Sequence, residues 1–127
     1  MDSAFKVGSE IIMDPSILKT IKKMLGISDD DSSFDNDLVT FINTVFMTLN
    51  QLGVGPVDTF HITGETELWT SFLDDFNFLE TVKTYIYLKV KLLFDPPASQ
   101  VASDAMERKA TELEYRLLIQ IKEKNTV

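Results

Sequence analysis

The fold is decided by residues 34–56, which read FDNDLVTFINTVFMTLNQLGVGP. Apolar side chains recur through this stretch every three or four residues, which is the spacing of one face of an α-helix. They are Phe34, Leu38, Phe41, Ile42, Val45, Leu49 and Leu52. We expect Asp31, Ser32 or Ser33 to cap the first turn and Gly53 to end the helix. The stretch therefore predicts a long amphipathic helix.

A shorter helix is predicted before this stretch and another helix at the end of the chain. The first begins near Asp14, a capping residue followed by Pro15, and ends at Gly26. The last begins by Ser99 and ends near Lys122. Its predicted apolar face consists of Val101, Ala105, Met106, Ala110, Leu113, Leu117 and Ile121.

The segment Leu79–Phe94 fits two kinds of secondary structure. Apolar residues alternate with Lys and Tyr residues from Val82 to Leu92, as in a half-buried strand. Helical spacing is also matched, by Leu79, Val82, Ile86, Val90 and Leu93. The segment is long for a strand and has no partner of similar length, which favours a helix buried on more than one side. Asp95-Pro96-Pro97 would end that helix.

The remaining segments complete an all-α prediction. Residues 57–64 read as an extended piece or half of a small hairpin, and residues 67–73 as one or two helical turns. We therefore predict a small bundle of about four helices with a short extended or hairpin element. Residues 1–13 form an N-terminal arm or extension, residues 14–124 a single helical domain and residues 125–127 a tail.

Composition and charge exclude several classes of protein. The chain has 127 residues, no Cys, one His and a net charge of −8. Without Cys, thiol catalysis and Cys-based zinc sites are excluded. The acidic balance argues against a protein that grips nucleic acid or anionic lipid through a basic surface. No segment is apolar enough over the roughly 20 residues that a membrane span needs.

The charges are distributed unevenly along the chain. Residues 24–82 contain eleven Asp and Glu residues and no Lys or Arg, whereas the remainder has nine acidic and twelve basic residues. The two parts therefore carry net charges of −11 and +3. This split predicts one strongly acidic face. The alternative is an acidic surface that serves solubility alone.

Catalytic and metal-binding motifs are not matched. His61 has no nucleophile motif around it, and Asp74-Asp75 has no feature that marks acid–base chemistry. Asp29-Asp30-Asp31 superficially resembles a calcium loop, but Phe34 and Thr40 stand where that loop needs glycine and glutamate. We therefore expect a protein that is not an enzyme and that holds no metal or cofactor.

Aromatic residues are concentrated in the middle of the chain. Most of them are expected in the core. Few polar positions remain around the Leu79–Phe94 segment, however, and a single small protomer has limited room to bury it. The sequence therefore also indicates that neighbouring subunits cover part of the protomer surface.

Two segments together resemble the head–tail connector (adaptor) proteins of tailed bacteriophages. Residues 42–56, INTVFMTLNQLGVGP, resemble the first long helix and turn of that family, and residues 79–97, LETVKTYIYLKVKLLFDPP, resemble its second long helix. Lys22–Ile27 is similar to the opening helix of the family, and the last helix to its end. The resemblance covers about residues 15–121 and favours a helix for Leu79–Phe94.

The resemblance implies a structural virion protein in the neck between capsid and tail, made in the host cytoplasm. Family members assemble as a homo-oligomeric ring, typically of twelve copies, under the portal protein. The ring also contacts a tail-side stopper or tail-completion protein. Double-stranded DNA passes through its lumen without specific binding, and neither membrane nor cofactor is involved.

Residue-level expectations follow when the family role is combined with the charge pattern. Lumen-facing acids are expected at Asp29, Asp30 and Asp31, because DNA slides past carboxylates without binding. The candidate subunit interface consists of Tyr85, Tyr87 and Val90. The candidate portal-docking helix presents Leu113, Leu117 and Ile121.

Two other functions fit the same sequence. An acidic DNA mimic would inhibit a host DNA-binding protein and would bind it tightly in a one-to-one complex. A small regulatory helical domain would need a basic recognition helix, but the best candidate, residues 106–124, is nearly balanced in charge.

Overall fold

The computed structural model describes residues 6–7, 10–11 and 16–125 of the chain. A short antiparallel pair precedes five helices. The elements are β1 (Lys6–Val7), β2 (Glu10–Ile11), α1 (Ile17–Leu25), α2 (Asp35–Leu52), α3 (Trp69–Phe72), α4 (Phe76–Phe94) and α5 (Gln100–Asn125). The helical fold class is confirmed. Most of the predicted arm at residues 1–13 and of the tail at residues 125–127 lies outside the described residues.

The caps of α1 and α2 correct two details of the prediction. Ser16 caps α1, because its hydroxyl accepts a hydrogen bond from the Lys19 amide, so the helix begins after the predicted Asp14 and Pro15. Phe34 precedes α2 without any side-chain cap. The Asp31 carboxylate instead accepts a hydrogen bond from the Ser33 amide within the preceding loop.

The ambiguous segment is helix α4, and its surroundings explain the ambiguity. Asp75 caps it by accepting the Phe78 amide at 3.2 Å, and the helix ends at Phe94, before Asp95 and the two prolines. Two stripes of the helix are buried at once. The buried residues include Leu79, Val82, Tyr85, Ile86, Leu88 and Val90. A helix that is covered on several sides loses the simple amphipathic pattern, which is why its sequence also reads as a strand.

Helix α4 lies at the centre and runs antiparallel to both long neighbours. The Phe34 and Phe94 rings, 5.2 Å apart, join the start of α2 to the end of α4. The Lys124 ammonium lies 6.0 Å from the Phe78 ring, which joins the end of α5 to the start of α4. Helix α1 packs against α4 and α2. One hydrophobic core results, shared by all five helices.

The loop between α2 and α3 is held by specific contacts rather than by strand pairing. The side-chain nitrogen of Asn43 donates a hydrogen bond to the Ile62 carbonyl at 2.9 Å, and its side-chain oxygen accepts one from the Ile62 backbone amide at 2.7 Å. All of residues 57–64 are described, and none of them belongs to a strand, so they do not form the predicted half-hairpin. The predicted helical turns at residues 67–73 are α3, whose Trp69 indole donates to the Thr20 hydroxyl.

Gly55 is required where this loop meets α3. Its φ is +93°, and a Cβ at this position would lie 2.7 Å from Cζ of Phe72 and closer still to Cε1. We expect Gly55→Ala to lower the free energy of unfolding by about 2–3 kcal/mol, through backbone strain and overpacking. Chemical denaturation measures this. Gly64→Ala is the matched control, because no atom lies within 4 Å of its added Cβ. Equal stability of the two variants would contradict the steric account.

Candidate functional site

The acidic loop, defined as residues 28–33, is built on a buried lysine. Lys22 on α1 is only 2 % exposed. Its ammonium donates to the carbonyls of Asp29 (3.3 Å) and Asp31 (2.8 Å) and pairs with the Asp35 carboxylate at 3.0 Å. Two of the three ammonium protons thus meet backbone carbonyls, and the Asp35 carboxylate supplies the opposite charge. The lysine therefore binds the backbone of the loop and leaves the carboxylates of residues 29–31 to other partners.

Serine hydrogen bonds lower the pKa of two carboxyls of the loop, those of Asp30 and Asp31. The Ser28 hydroxyl donates to Asp30, and this hydrogen bond lowers the pKa of that carboxyl. The hydroxyl and amide of Ser33 donate to Asp31 and lower its pKa in the same way. Asp29 and Asp30 are exposed and Asp31 is half-buried. The structure thus brings the three predicted acids together in one ordered loop.

Two of the three predicted interface residues lie inside the protomer. Tyr85 and Val90 are 0 % exposed. The Tyr85 hydroxyl donates to Glu114 of α5 at 2.5 Å, and burial together with this carboxylate raises the pKa of the phenol. Neither side chain offers surface to another subunit, because α2 and α5 already cover α4. Tyr87 is half-buried and packs at the edge of the core.

The residues predicted to dock the portal face inward as well. Leu113 and Leu117 are buried in the core and Ile121 is half-buried beside Gly53. The opposite side of α5 presents a different apolar set, which we name the outer α5 face: Tyr115, Leu118 and Ile119. Tyr115 is 65 % exposed. These three residues lie outside the apolar face predicted for α5, and large apolar residues at such positions are the sequence feature that could have predicted this surface.

A groove lies between α1 and α4. It encloses about 570 Å³ and has Met24 and Ile27 among its apolar lining residues. Lys19, Lys23 and Lys83 also line it, together with Asp29 and Glu80. The Lys83 ammonium lies 3.4 Å from Glu80 and 5.6 Å from the centre of the Trp69 ring. The groove is thus lined by the apolar side chains of Met24 and Ile27 together with three lysines and two acidic residues.

The other chemical candidates have ordinary structural roles. Asp75 caps α4, and His61 is exposed in the loop that follows α2. Among residues 16–125, no group of three His, Asp or Glu side chains is arranged to hold a metal ion. The helices in this part of the chain are each too short or too polar to cross a bilayer.

Comparison with known protein families identifies a family for this chain. A family model described as phage connector protein matches residues 17–124, which include all five helices except the last residue of α5. No curated protein and no solved structure matches the chain. The match confirms the family that the sequence resembles, and it points to a structural virion component rather than an enzyme. The chain belongs to the phage connector protein family.

Proposed function

We propose that this protein is a head–tail connector subunit that assembles as a ring between the portal and the tail-side stopper or tail-completion protein. Packaged DNA passes through the lumen of that ring. The observation that carries this proposal beyond the family match is the acidic loop. Its three consecutive carboxylates stand on a loop whose nearest buried cation, Lys22, is engaged by backbone carbonyls and Asp35.

An acidic lining suits DNA that must slide without being held. Affinity for DNA comes largely from cations that neutralise phosphates and release their counterions. Residues 24–82 supply no such cation, and Asp29 and Asp30 are exposed within them. With the loop toward the lumen, carboxylates repel the phosphates and keep the duplex away from the wall.

Neutralising the loop tests this role. We expect phage particles that carry Asp29→Asn, Asp30→Asn and Asp31→Asn together to eject DNA several times more slowly, because fewer charges repel the phosphates. Single-particle fluorescence of DNA release measures the rate. The matched control removes three charges from α5, with Asp104→Asn, Glu107→Gln and Glu112→Gln. Equal ejection rates in wild type and the loop variant would remove the lumen assignment.

The contact with the portal is assigned to α5, through its outer face. This revises the residues and keeps the helix, since Leu113 and Leu117 are occupied by the protomer core. Tyr115, Leu118 and Ile119 form a compact exposed apolar patch at i, i+3 and i+4 spacing. Exposed aromatic and aliphatic clusters of this kind typically mark protein–protein contacts.

An acidic DNA mimic remains the alternative for the same carboxylates. It would present them to a basic host protein instead of to DNA. The family match favours the connector role. Native mass spectrometry separates the two, because a connector forms a multi-copy complex with the portal, whereas a mimic forms a one-to-one complex with its target.

A further inference from the structure

The loop that follows α2 projects an apolar residue into solvent. Val57 is 97 % exposed, and its neighbours Pro56, Asp58 and Thr59 are exposed too. The Asn50 amide on α2 donates to the carbonyls of Pro56 (3.3 Å) and Val57 (3.0 Å). The tip, defined as residues 56–59, is therefore held by hydrogen bonds from Asn50 to its backbone carbonyls rather than by burial of its side chains.

Both ends of the tip are anchored to the core. Gly55 lies against the Phe72 ring on one side. On the other, the Phe60 ring lies 5.1 Å from Phe46 and 5.4 Å from Phe72. A loop held in one conformation loses little conformational entropy on binding. An exposed valine at its tip can therefore insert into a partner surface at a low entropic cost.

The groove between α1 and α4 matches this tip in chemistry. Its apolar lining residues are Met24, which is 39 % exposed, and Ile27. Lys23 also lines the groove, is exposed and forms no ion pair with any described residue. An apolar side chain followed by a carboxylate, as in Val57-Asp58, complements two apolar lining residues that lie beside an exposed lysine.

The tip and the Lys23 part of the groove lie toward opposite ends of the protomer. Lys22, next to Lys23, pairs with Asp35 at the start of α2, whereas the tip follows the end of that helix. The 18 residues of α2 span about 27 Å. A contact that joins two different, distant surfaces is heterologous, and such a contact repeats from copy to copy to build a ring when the rotation between copies closes, and an open filament when it does not.

We infer that the tip of one copy docks in the groove of the next, with Val57 against Met24 and Ile27 and Asp58 beside Lys23. The occupant is a second copy of this chain, and the inference rests on the proposed ring. It supplies the ring with a specific head-to-tail contact, which Tyr85 and Val90 cannot provide from inside the core.

Cross-linking tests the contact directly, because the chain has no native Cys. The full chain carrying both Val57→Cys and Met24→Cys is expected to form a ladder of linked multimers on oxidation. A mixture of the two single variants should stop at dimers, since each chain then has only one linkable end. Val57→Cys with Val101→Cys is the matched control, because Val101 is also exposed but lies outside the groove. A ladder in the control as strong as in the test pair would overturn the contact.

Charge exchange gives a second reading. Asp58→Lys or Lys23→Asp alone should weaken association by about fivefold, and the two together should restore it. Light scattering on the unmodified chain reports assembly independently of any cross-link. Assembly without a ladder and without charge rescue overturns the tip–groove contact and leaves the ring intact. Failure of the unmodified chain to assemble, alone or with the portal, overturns both.

Discussion

Lys22→Met is expected to lower the free energy of unfolding by about 2–3 kcal/mol, although it replaces a charged residue with an apolar one of similar length. The substitution leaves the Asp35 carboxylate and the carbonyls of Asp29 and Asp31 without their shared cation. The side chain of Asp35 is 25 % exposed, so water compensates part of the loss. Chemical denaturation followed by circular dichroism measures the change.

Lys23→Met is the control for the buried lysine. The two residues are adjacent on α1 and carry the same charge, but Lys23 is exposed. We expect its substitution to change stability by no more than about 0.5 kcal/mol. A double-mutant cycle with Asp35→Asn then isolates the ion pair. If Lys22→Met and Lys23→Met were equally mild, the acidic loop would not be held by Lys22.

Tyr115→Asp combined with Leu118→Asp is expected to weaken portal binding by tenfold or more while the protomer stays folded. Both residues lie on the outer α5 face, where a central aromatic side chain of a protein contact is worth about 2 kcal/mol or more. A charged residue there would be desolvated in the complex without a partner. Pull-down or sedimentation with purified portal rings measures the binding.

Leu117→Ala provides the contrast on the same helix. Leu117 is fully buried, so its truncation should cost about 2–5 kcal/mol of stability through the cavity it leaves. At temperatures where this variant is still folded, it should bind the portal normally. Portal binding that depends on Leu117 and is insensitive to Tyr115 and Leu118 would return the contact to the originally predicted face.

The sequence was sufficient for the helices but not for the surfaces. Periodicity predicted α2 and α5 as helices correctly, although α5 carries a second, exposed apolar set beside its buried stripe. Helix α4 was ambiguous because three neighbours cover it, and the family resemblance rather than periodicity favoured the right alternative. The sequence pattern predicts an interface at buried positions on α4, because a pattern shows that a residue is covered and not by which chain. Tyr85 is covered by its own protomer, through Glu114.

The candidate site was only partly predictable for a related reason. Asp29, Asp30 and Asp31 were visible as a run of acids, and they do form one loop. The role of Lys22 could not be predicted, because in sequence it is one of several lysines at the end of a short amphipathic helix. Its burial depends on the loop that folds back over it, so that the carbonyls of Asp29 and Asp31, seven and nine residues later in the chain, meet the ammonium. The conformation of the exposed tip at Val57 likewise depends on hydrogen bonds from Asn50, and hydrophobic periodicity does not predict such side-chain hydrogen bonds.

The central claim is that copies of this chain form a ring on the portal, and native mass spectrometry of the full chain with purified portal tests it most directly. The account predicts one complex, in which the portal ring carries several connector chains in a fixed number. A complex of the portal with a single connector chain is not expected. A chain that stays monomeric in the presence of portal, or that binds a host DNA-binding protein one to one, would contradict it.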